Sequence, residues 1–487
     1  MTLKKSILLI LGLTLLLVAN FGIYSYHNFK VAEKFSPLAL SFDPYTSISS
    51  WEGDGTQVTI QGGFVKGLMG AGNNEELLLR SLAPEMQISI KGNTNEAVTK
   101  LIRVENVNPA RIKAGDDSQF KIIDYHTIAL TLTVDPGEAK TIDLLPLDDK
   151  DYLEFAILGD NRDGYQTFAQ IIEQINAIAP VFTIDNGDLV FGGEPNKYRL
   201  FNETVAKLQG PLLTTIGNHD VRENGRTIYT ELFGPPYYSF DYRDTHFVFL
   251  DSSRGWTERI TIPEEQYLWL ESDLNKAQGK RIFVVSHIPP VDPRNSIEAN
   301  TLPDIPGVHE TSYFEKLMND YSSYKNLNHA FPDPLEAQRF ENLMSKYRVD
   351  TVFLSHIHSY FSYVKDGVQY IISGGAGAEL LTQNSFYHYI RVKVSADDNY
   401  LEVIQLPSPA NNLQDRYVAG LELFAQAIYK EYRTTIWIMG SLAGLVLGWV
   451  LWATHGKWFP WLVMVGVWIF EIFKYAKHKY VELRKNL

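Results

Sequence analysis

Residues 154–162 read Glu154-Phe155-Ala156-Ile157-Leu158-Gly159-Asp160-Asn161-Arg162, a short apolar run, then a glycine, then three polar side chains. An apolar run of this length, closed by a turn signal, marks a strand covered on both faces. Four more polar elements repeat the arrangement. Asn186-Gly187-Asp188 follows Val181–Ile184, and Gly217-Asn218-His219-Asp220 follows Leu212–Ile216. Ser286-His287-Ile288-Pro289-Pro290 closes Arg281–Ser286, and Ser355-His356-Ile357-His358 follows Thr351–Leu354. Helical stretches such as Tyr165–Ile178 and Glu264–Asn275 alternate with these strands and with Thr245–Leu250. Later strand-like runs at 360–364, 369–372, 389–394 and 400–404 finish the pattern near Pro407. The alternation predicts a layered α/β domain over 152–407. Sheets of that kind place their ligands beyond the carboxyl ends of the strands, where all five polar elements fall.

Among their residues are two aspartates, an asparagine and four histidines that can act as donors: Asp160, Asp188, Asn218, His219, His287, His356 and His358. The chain has no cysteine, so thiolate ligands, cysteine nucleophiles and disulfides are excluded. Oxygen and imidazole donors suit divalent Mn, Fe, Zn or Co. A shared carboxylate such as Asp188 can bridge two ions roughly 3.5–4 Å apart. Each motif alone has a plain structural reading. Gly-Asp after a strand is an ordinary turn, His287 before Ile288-Pro289-Pro290 reads as a satisfied core histidine, and His356 and His358 simply share one strand face. Their order, each directly after a strand, favours a metal site.

The ordered set resembles the calcineurin-like metallophosphoesterase family. The resemblance covers roughly 152–406 and extends to Phe233–Asp241 (FGPPYYSFD), Phe249–Asp251, Trp269–Glu271 and Gly374–Gly377 (GGAG). It implies a layered, β-sandwich-like α/β core with flanking helices, and hydrolysis of a phosphoester at two divalent metal ions with a bridging hydroxide. By position, Asp160, Asp188 and His358 would hold one ion, and Asp188, Asn218, His287 and His356 the other. His219 would act on the substrate or its leaving group, with Asp220 orienting it. The family's first motif usually reads Asp-x-His; here it is Asp160-Asn161-Arg162. A guanidinium does not ligate metal, so one ion loses an imidazole. Arg162 either forks onto the substrate phosphate or sits in an ion pair with an acid such as Asp163.

The chain has 487 residues, 45% hydrophobic and 21% charged, which excludes a wholly disordered or fibrous protein. Net charge is −13, and the stretch 35–429 alone holds 32 basic and 53 acidic residues. So acidic a body speaks against nucleic acid as a partner. Upstream, period-two stretches over 40–148 predict a small all-β sandwich without a defensible site. His309 and His329 lie in a Pro- and Tyr-rich insertion from Val291 to Pro334 and read best as solvated loop residues. His246 and His388 read as packed within apolar strands, and Asp185 as a turn residue.

Both ends read as membrane segments. Lys4 and Lys5 precede the charge-free run Ile7–Ile23, marking 1–29 as a signal anchor or signal peptide. Thr434–Ala453 is about the ~20 residues needed to cross a bilayer. Trp458–Phe473 is a second membrane-associated segment, and 474–487 is a basic tail. A positive-inside orientation then puts the large domain outside the cytoplasm. The expected protein is a membrane-tethered, extracytoplasmic phosphoesterase. Its rival is a non-catalytic surface or binding protein on the same fold with one structural metal.

Overall fold

The computed structural model describes residues 42–70, 75–115, 119–148, 150–256, 261–294, 329–380, 385–396, 398–409 and 413–455, with residues 12, 14, 15, 18, 19 and 22 near the amino terminus. Between Phe35 and Ala427 the chain folds as one compact unit.

Its amino-terminal part is two sheets. One has the order Phe42–Asp43 (β1), Ile48–Gly53 (β2), Thr56–Gln61 (β3), Met86–Gly92 (β6), Ala139–Pro146 (β11) and Ile112–Ala114 (β8). The other has the order Gly63–Met69 (β4), Glu76–Ser81 (β5), Val98–Glu105 (β7), Ile128–Val134 (β10) and Lys121–Ile122 (β9). Alternate residues such as Val58, Ile60, Ile88, Ile102, Val104 and Leu130 face inward and form one core. This is the period-two burial that a one-sided sheet requires. The pairing is antiparallel except for β5 with β7, which run parallel.

The site is built on two further sheets. The first joins Leu212–Thr214 (β14), Phe182–Asp185 (β13), Leu153–Leu158 (β12), His388–Val394 (β21) and Asn399–Gln405 (β22). The second joins Tyr238–Tyr242 (β15), Thr245–Leu250 (β16), Arg281–Ser286 (β17), Thr351–Leu354 (β18), Val368–Ser373 (β20) and Tyr360–Lys365 (β19). Strands β12, β13 and β14 are mutually parallel, as are β16, β17, β18 and β20. Aromatic side chains fill the space between the sheets: Phe155 stacks on Phe182 at 5.3 Å and meets Phe247 edge-on at 5.4 Å. Truncating so buried an aromatic typically costs about 3–5 kcal/mol.

The outer faces are covered as well, which is why these strands read as continuous apolar runs. Helices Tyr165–Ile178 (α1), Pro195–Val205 (α2) and Gly225–Phe233 (α3) pack through Phe168, Ile172, Phe201 and Tyr229 onto the first sheet. Glu264–Lys276 (α4) and Pro334–Lys346 (α5) pack through Trp269, Leu270 and Phe340 onto the second. The result is a helix–sheet–sheet–helix α/β architecture with the parallel strands of both sheets at its centre.

Leu413–His455 (α6) is helical apart from a non-helical Tyr432. Among the described residues no helix is long and apolar enough to cross a membrane, so the crossing expected over 434–453 finds no support here. The expected segments 458–473 and 474–487 lie outside the described residues, as does 1–29 apart from the six positions given above.

Candidate metal centre

The carboxyl ends of β12, β13, β14, β17 and β18 release the five polar elements into one place. The backbone there is tight. Asp160, Asp188 and His356 have positive φ values of 57°, 55° and 70°. Such left-handed conformations cost energy in non-glycine residues and gather at functional sites. Gly217 has no side chain for a steric reason: a Cβ there would stand 2.2 Å from the Asp188 amide nitrogen.

One donor atom each from Asp188, His287 and His356 lies within 4.8 Å of the others, and all three residues are buried. His287 Nε2 stands 3.2 Å from Asp188 Oδ1. Its Nδ1 is 2.8 Å from the Asn186 carbonyl. A carbonyl only accepts, so Nδ1 carries a proton and Nε2 is the ring nitrogen that faces Asp188. His358 repeats the arrangement: Nδ1 donates to the Glu379 carbonyl at 2.7 Å, and Nε2 lies 3.5 Å from Asp160 Oδ1. Asp160 Oδ2 is already used, accepting from Ser355 Oγ at 2.5 Å and the His356 amide at 2.7 Å.

What remains is a set of buried polar atoms without hydrogen-bond partners: Asp160 Oδ1, both side-chain atoms of Asn218, and His287 Nε2. Buried polar atoms left unpaired cost about 1–3 kcal/mol each, and these belong to three of the strand-end residues. Two carboxylates, an amide and three imidazoles with inward donors fit borderline or hard divalent cations. Of the six expected ligands, Asp188, His287 and His356 come within 4.8 Å of one another and His358 meets Asp160 at 3.5 Å, while Asn218 keeps both side-chain atoms unpaired.

The expected catalytic residues stand differently. His219 Nδ1 donates to the Phe191 carbonyl at 2.6 Å. Its Nε2 accepts from Arg162 Nη1 at 2.6 Å and from Arg222 Nη2 at 2.9 Å. Burial pushes the imidazole down to about 3, against the pull of Asp188 and with the help of Arg162 and Arg222. Both ring nitrogens of His219 are therefore engaged, one by the Phe191 carbonyl and the other by two arginines.

Asp220 does not orient His219. Its Oδ1 accepts from the Val190 amide at 3.1 Å and its Oδ2 from the Gly217 amide at 2.8 Å. It braces the two loops against each other, and burial together with Asp188 pushes its carboxyl up to about 8.

Arg162 bonds not to Asp163 but to Glu379, at 2.5 Å. Its Nη1 lies 4.0 Å from Asp188 Oδ2. Glu379, Phe191 and Arg222 escape a motif reading because each acts through tertiary contact. The only sequence signals are the proximity of Glu379 to Gly374–Gly377 and of Arg222 to Asn218-His219-Asp220.

Three other expectations are corrected. His329 does not sit in solvent: its ring centroid is 5.3 Å from that of His356, and its amide donates to Asp292 Oδ2. His246 is clamped between Asp241 and Asp273 rather than merely packed. Asp185 is the last residue of β13 and takes a buried hydrogen bond from Asn161. His309 lies outside the described residues.

The layered sheets and the carboxylate–imidazole pocket define a metallophosphoesterase-type α/β protein. The calcineurin-like phosphoesterase family model matches residues 153–360. The chain is 31% identical over 142 residues to a probable glycerophosphodiester phosphodiesterase GpdQ of Arcobacter nitrofigilis, covering 26% of this chain and 50% of that protein. It is 27% identical over 232 residues to purple acid phosphatase 22 of Arabidopsis thaliana, covering 43% and 44% respectively. The chain thus spans about half the length of the curated relatives it matches. Among solved structures, the purple acid phosphatase PPD1 of yellow lupin (Lupinus luteus) aligns with a TM-score of 0.40 and 12% identity, over 72% of this chain and 77% of that one.

Proposed function

We propose that the chain is a metal-dependent phosphoesterase. One observation carries the reading: donor atoms of Asp188, His287 and His356, all buried and carried on separate strand ends, lie within 4.8 Å of one another. Asp160, Asp188 and His358 would hold one divalent cation, and Asp188, Asn218, His287 and His356 the other. When bound, such ions would supply charge neutralisation for a phosphate and a water acidic enough to act as nucleophile near neutral pH.

The protein's own part is to aim donors. The Asn186 and Glu379 carbonyls fix the tautomers of His287 and His358. Ser355 and the His356 amide hold Asp160 with Oδ1 free. The His219 amide holds Asp188 through Oδ1 at 2.9 Å. Two carboxylates against two divalent cations leave a net charge of +2, which suits an incoming phosphate anion. Arg162, anchored by Glu379, adds a guanidinium at the rim.

The full chain, purified and supplied with Mn, Fe, Zn or Co, is expected to hydrolyse a chromogenic phosphoester. The double variant Asn218→Ala, His356→Ala is expected to be inactive. A folded protein without turnover in any metal would leave the binding-protein reading standing.

The same reading tethers the protein to a membrane with its crevice on the extracytoplasmic side. Support comes from the charge-free runs Ile7–Ile23 and Thr434–Ala453 and the lysines flanking them. Extraction of the full chain from membranes by alkaline carbonate would refute it.

A further inference from the structure

Arg222 is a half-buried cation in an unusual setting. Its Nη1 donates to the Phe191 carbonyl at 3.3 Å and its Nη2 to His219 Nε2 at 2.9 Å. Its guanidinium carbon also lies 5.6 Å from the Phe191 ring centre. All three partners are neutral. Neighbouring arginines are treated otherwise: Arg162 has Glu379 at 2.5 Å and Arg226 has Asp251 at 2.6 Å. Among the described residues no carboxylate stands within ion-pair distance of Arg222. A partly desolvated charge without a counterion is costly, and removing water strengthens its pull on any anion that arrives.

The surroundings sharpen this. Arg162 and Arg222 both donate to the one lone pair of His219, so two strong donors share a single weak acceptor. Lys197, paired with Glu194 at 3.8 Å, lies 4.7 Å from the same Phe191 ring centre. Arg162 Nη1 and the His219 Nε2 that both arginines address lie 4.0 Å and 3.9 Å from Asp188 Oδ2, so Arg222 stands one side chain out from the metal pocket. Guanidinium groups match phosphoryl oxygens in geometry and charge.

We propose that Arg222, together with Arg162, forms the phosphoryl-oxygen recess of this centre, and that Arg222 selects phosphomonoesters by receiving the second negative charge that a monoester carries and a diester lacks. The inference rests on the phosphoesterase reading and names its substrate class.

The full chain is compared with Arg222→Gln and Arg222→Lys, after a melting curve shows that each variant folds. With 4-nitrophenyl phosphate, Arg222→Gln is expected to lose at least about tenfold in kcat/KM, mainly through KM. With bis(4-nitrophenyl) phosphate it is expected to change less than about threefold, and Arg222→Lys to recover part of the monoester loss. Orthophosphate binding to the Mn-loaded protein, measured by calorimetry, is expected to weaken in step with the monoester loss. Equal losses on both esters, or unchanged orthophosphate binding, overturn the proposal. If the wild type cleaves neither ester, the phosphoesterase reading fails and calorimetry alone decides. Orthophosphate binding that depends on Arg222 then sustains the recess, and its absence or independence of Arg222 overturns it.

Discussion

His246 and His287 are two buried histidines set against carboxylates, and both are pushed up to about 9. In each case burial works against the charge and neighbouring aspartates outweigh it. Their bonding differs. Both ring nitrogens of His246 are spent, on Asp241 at 2.8 Å and Asp273 at 3.0 Å. Asp273 also accepts from Ser239, and Lys280 pairs with Asp241 at 2.7 Å. Every group in that cluster has an answer. His287 spends Nδ1 on a carbonyl and turns Nε2 into the pocket, where it meets the expected metal ligand Asp188 at 3.2 Å. A shifted titration therefore does not mark a site in this protein. Unanswered donors on strained loops do.

The largest effect expected from this contrast is at His287. Replacing it by Ala removes an inward donor and should lower phosphoester turnover by more than about 100-fold, since even the outer partners of metal ligands are worth 10–100-fold. A divalent cation at about 100 times its dissociation constant should stabilise the wild type by about 2.7 kcal/mol. That rise, read from melting curves with and without metal, should vanish in His287→Ala and persist in His246→Gln. A metal response lost equally in both variants would break the comparison.

His246 should answer to pH instead. Its folded value, about 9, lies above the ordinary 6.5. The folded state therefore holds its proton more tightly, and the stabilisation is complete below about pH 6.5 and lost as the pH rises through about 9. A shift of that size is worth on the order of 3 kcal/mol. Denaturant titrations from pH 6 to pH 10 should show the wild type falling toward His246→Gln as the pH rises. Parallel curves would mean that the two aspartates do not hold the charge.

Asp220 is expected to matter less, and in stability rather than in chemistry. Both of its oxygens accept from backbone amides. Asp220→Asn turns an NH2 against one of them, leaving a buried donor without an acceptor at a cost of about 1–3 kcal/mol. Denaturant midpoints should fall while the pH profile of turnover keeps its shape. A shifted profile with unchanged stability would restore Asp220 as the residue that orients His219.

The same contrast explains what could be read from sequence. The five strand-end elements were legible because buried parallel strands are continuous apolar runs and their polar endings are local. Asp160, Asp188, Asn218, His287, His356 and His358 all fall in such endings. Partners set by tertiary contact were not legible. Glu379 meets Arg162 from 217 residues away, and Asp273 meets His246 across 27. The bonding of Asp220 and His219 was hidden for a related reason. Adjacent residues invite a direct bond, but their side chains turn to opposite sides of the loop, one to backbone amides and the other to Phe191 and two arginines.

The smallest expected effect concerns a third histidine and tests the contrast with the opposite sign. His388 is buried, its Nδ1 lies 2.9 Å from the Phe386 carbonyl, and its Nε2 lies 3.1 Å from Ser373 Oγ. No carboxylate is bonded to it, and burial pushes it down to about 4. The unfolded chain takes up a proton near 6.5 that the folded state refuses, so this group removes stability as the pH falls below about 6.5 and has no effect above it. Ser373→Ala deletes one neutral hydrogen bond and should cost about 1 kcal/mol, constant from pH 7 to pH 9. Over that range the His246→Gln difference should shrink steadily while the Ser373→Ala difference stays level. If both moved together, the titration above pH 7 would belong to the fold as a whole and not to the aspartate clamp around His246.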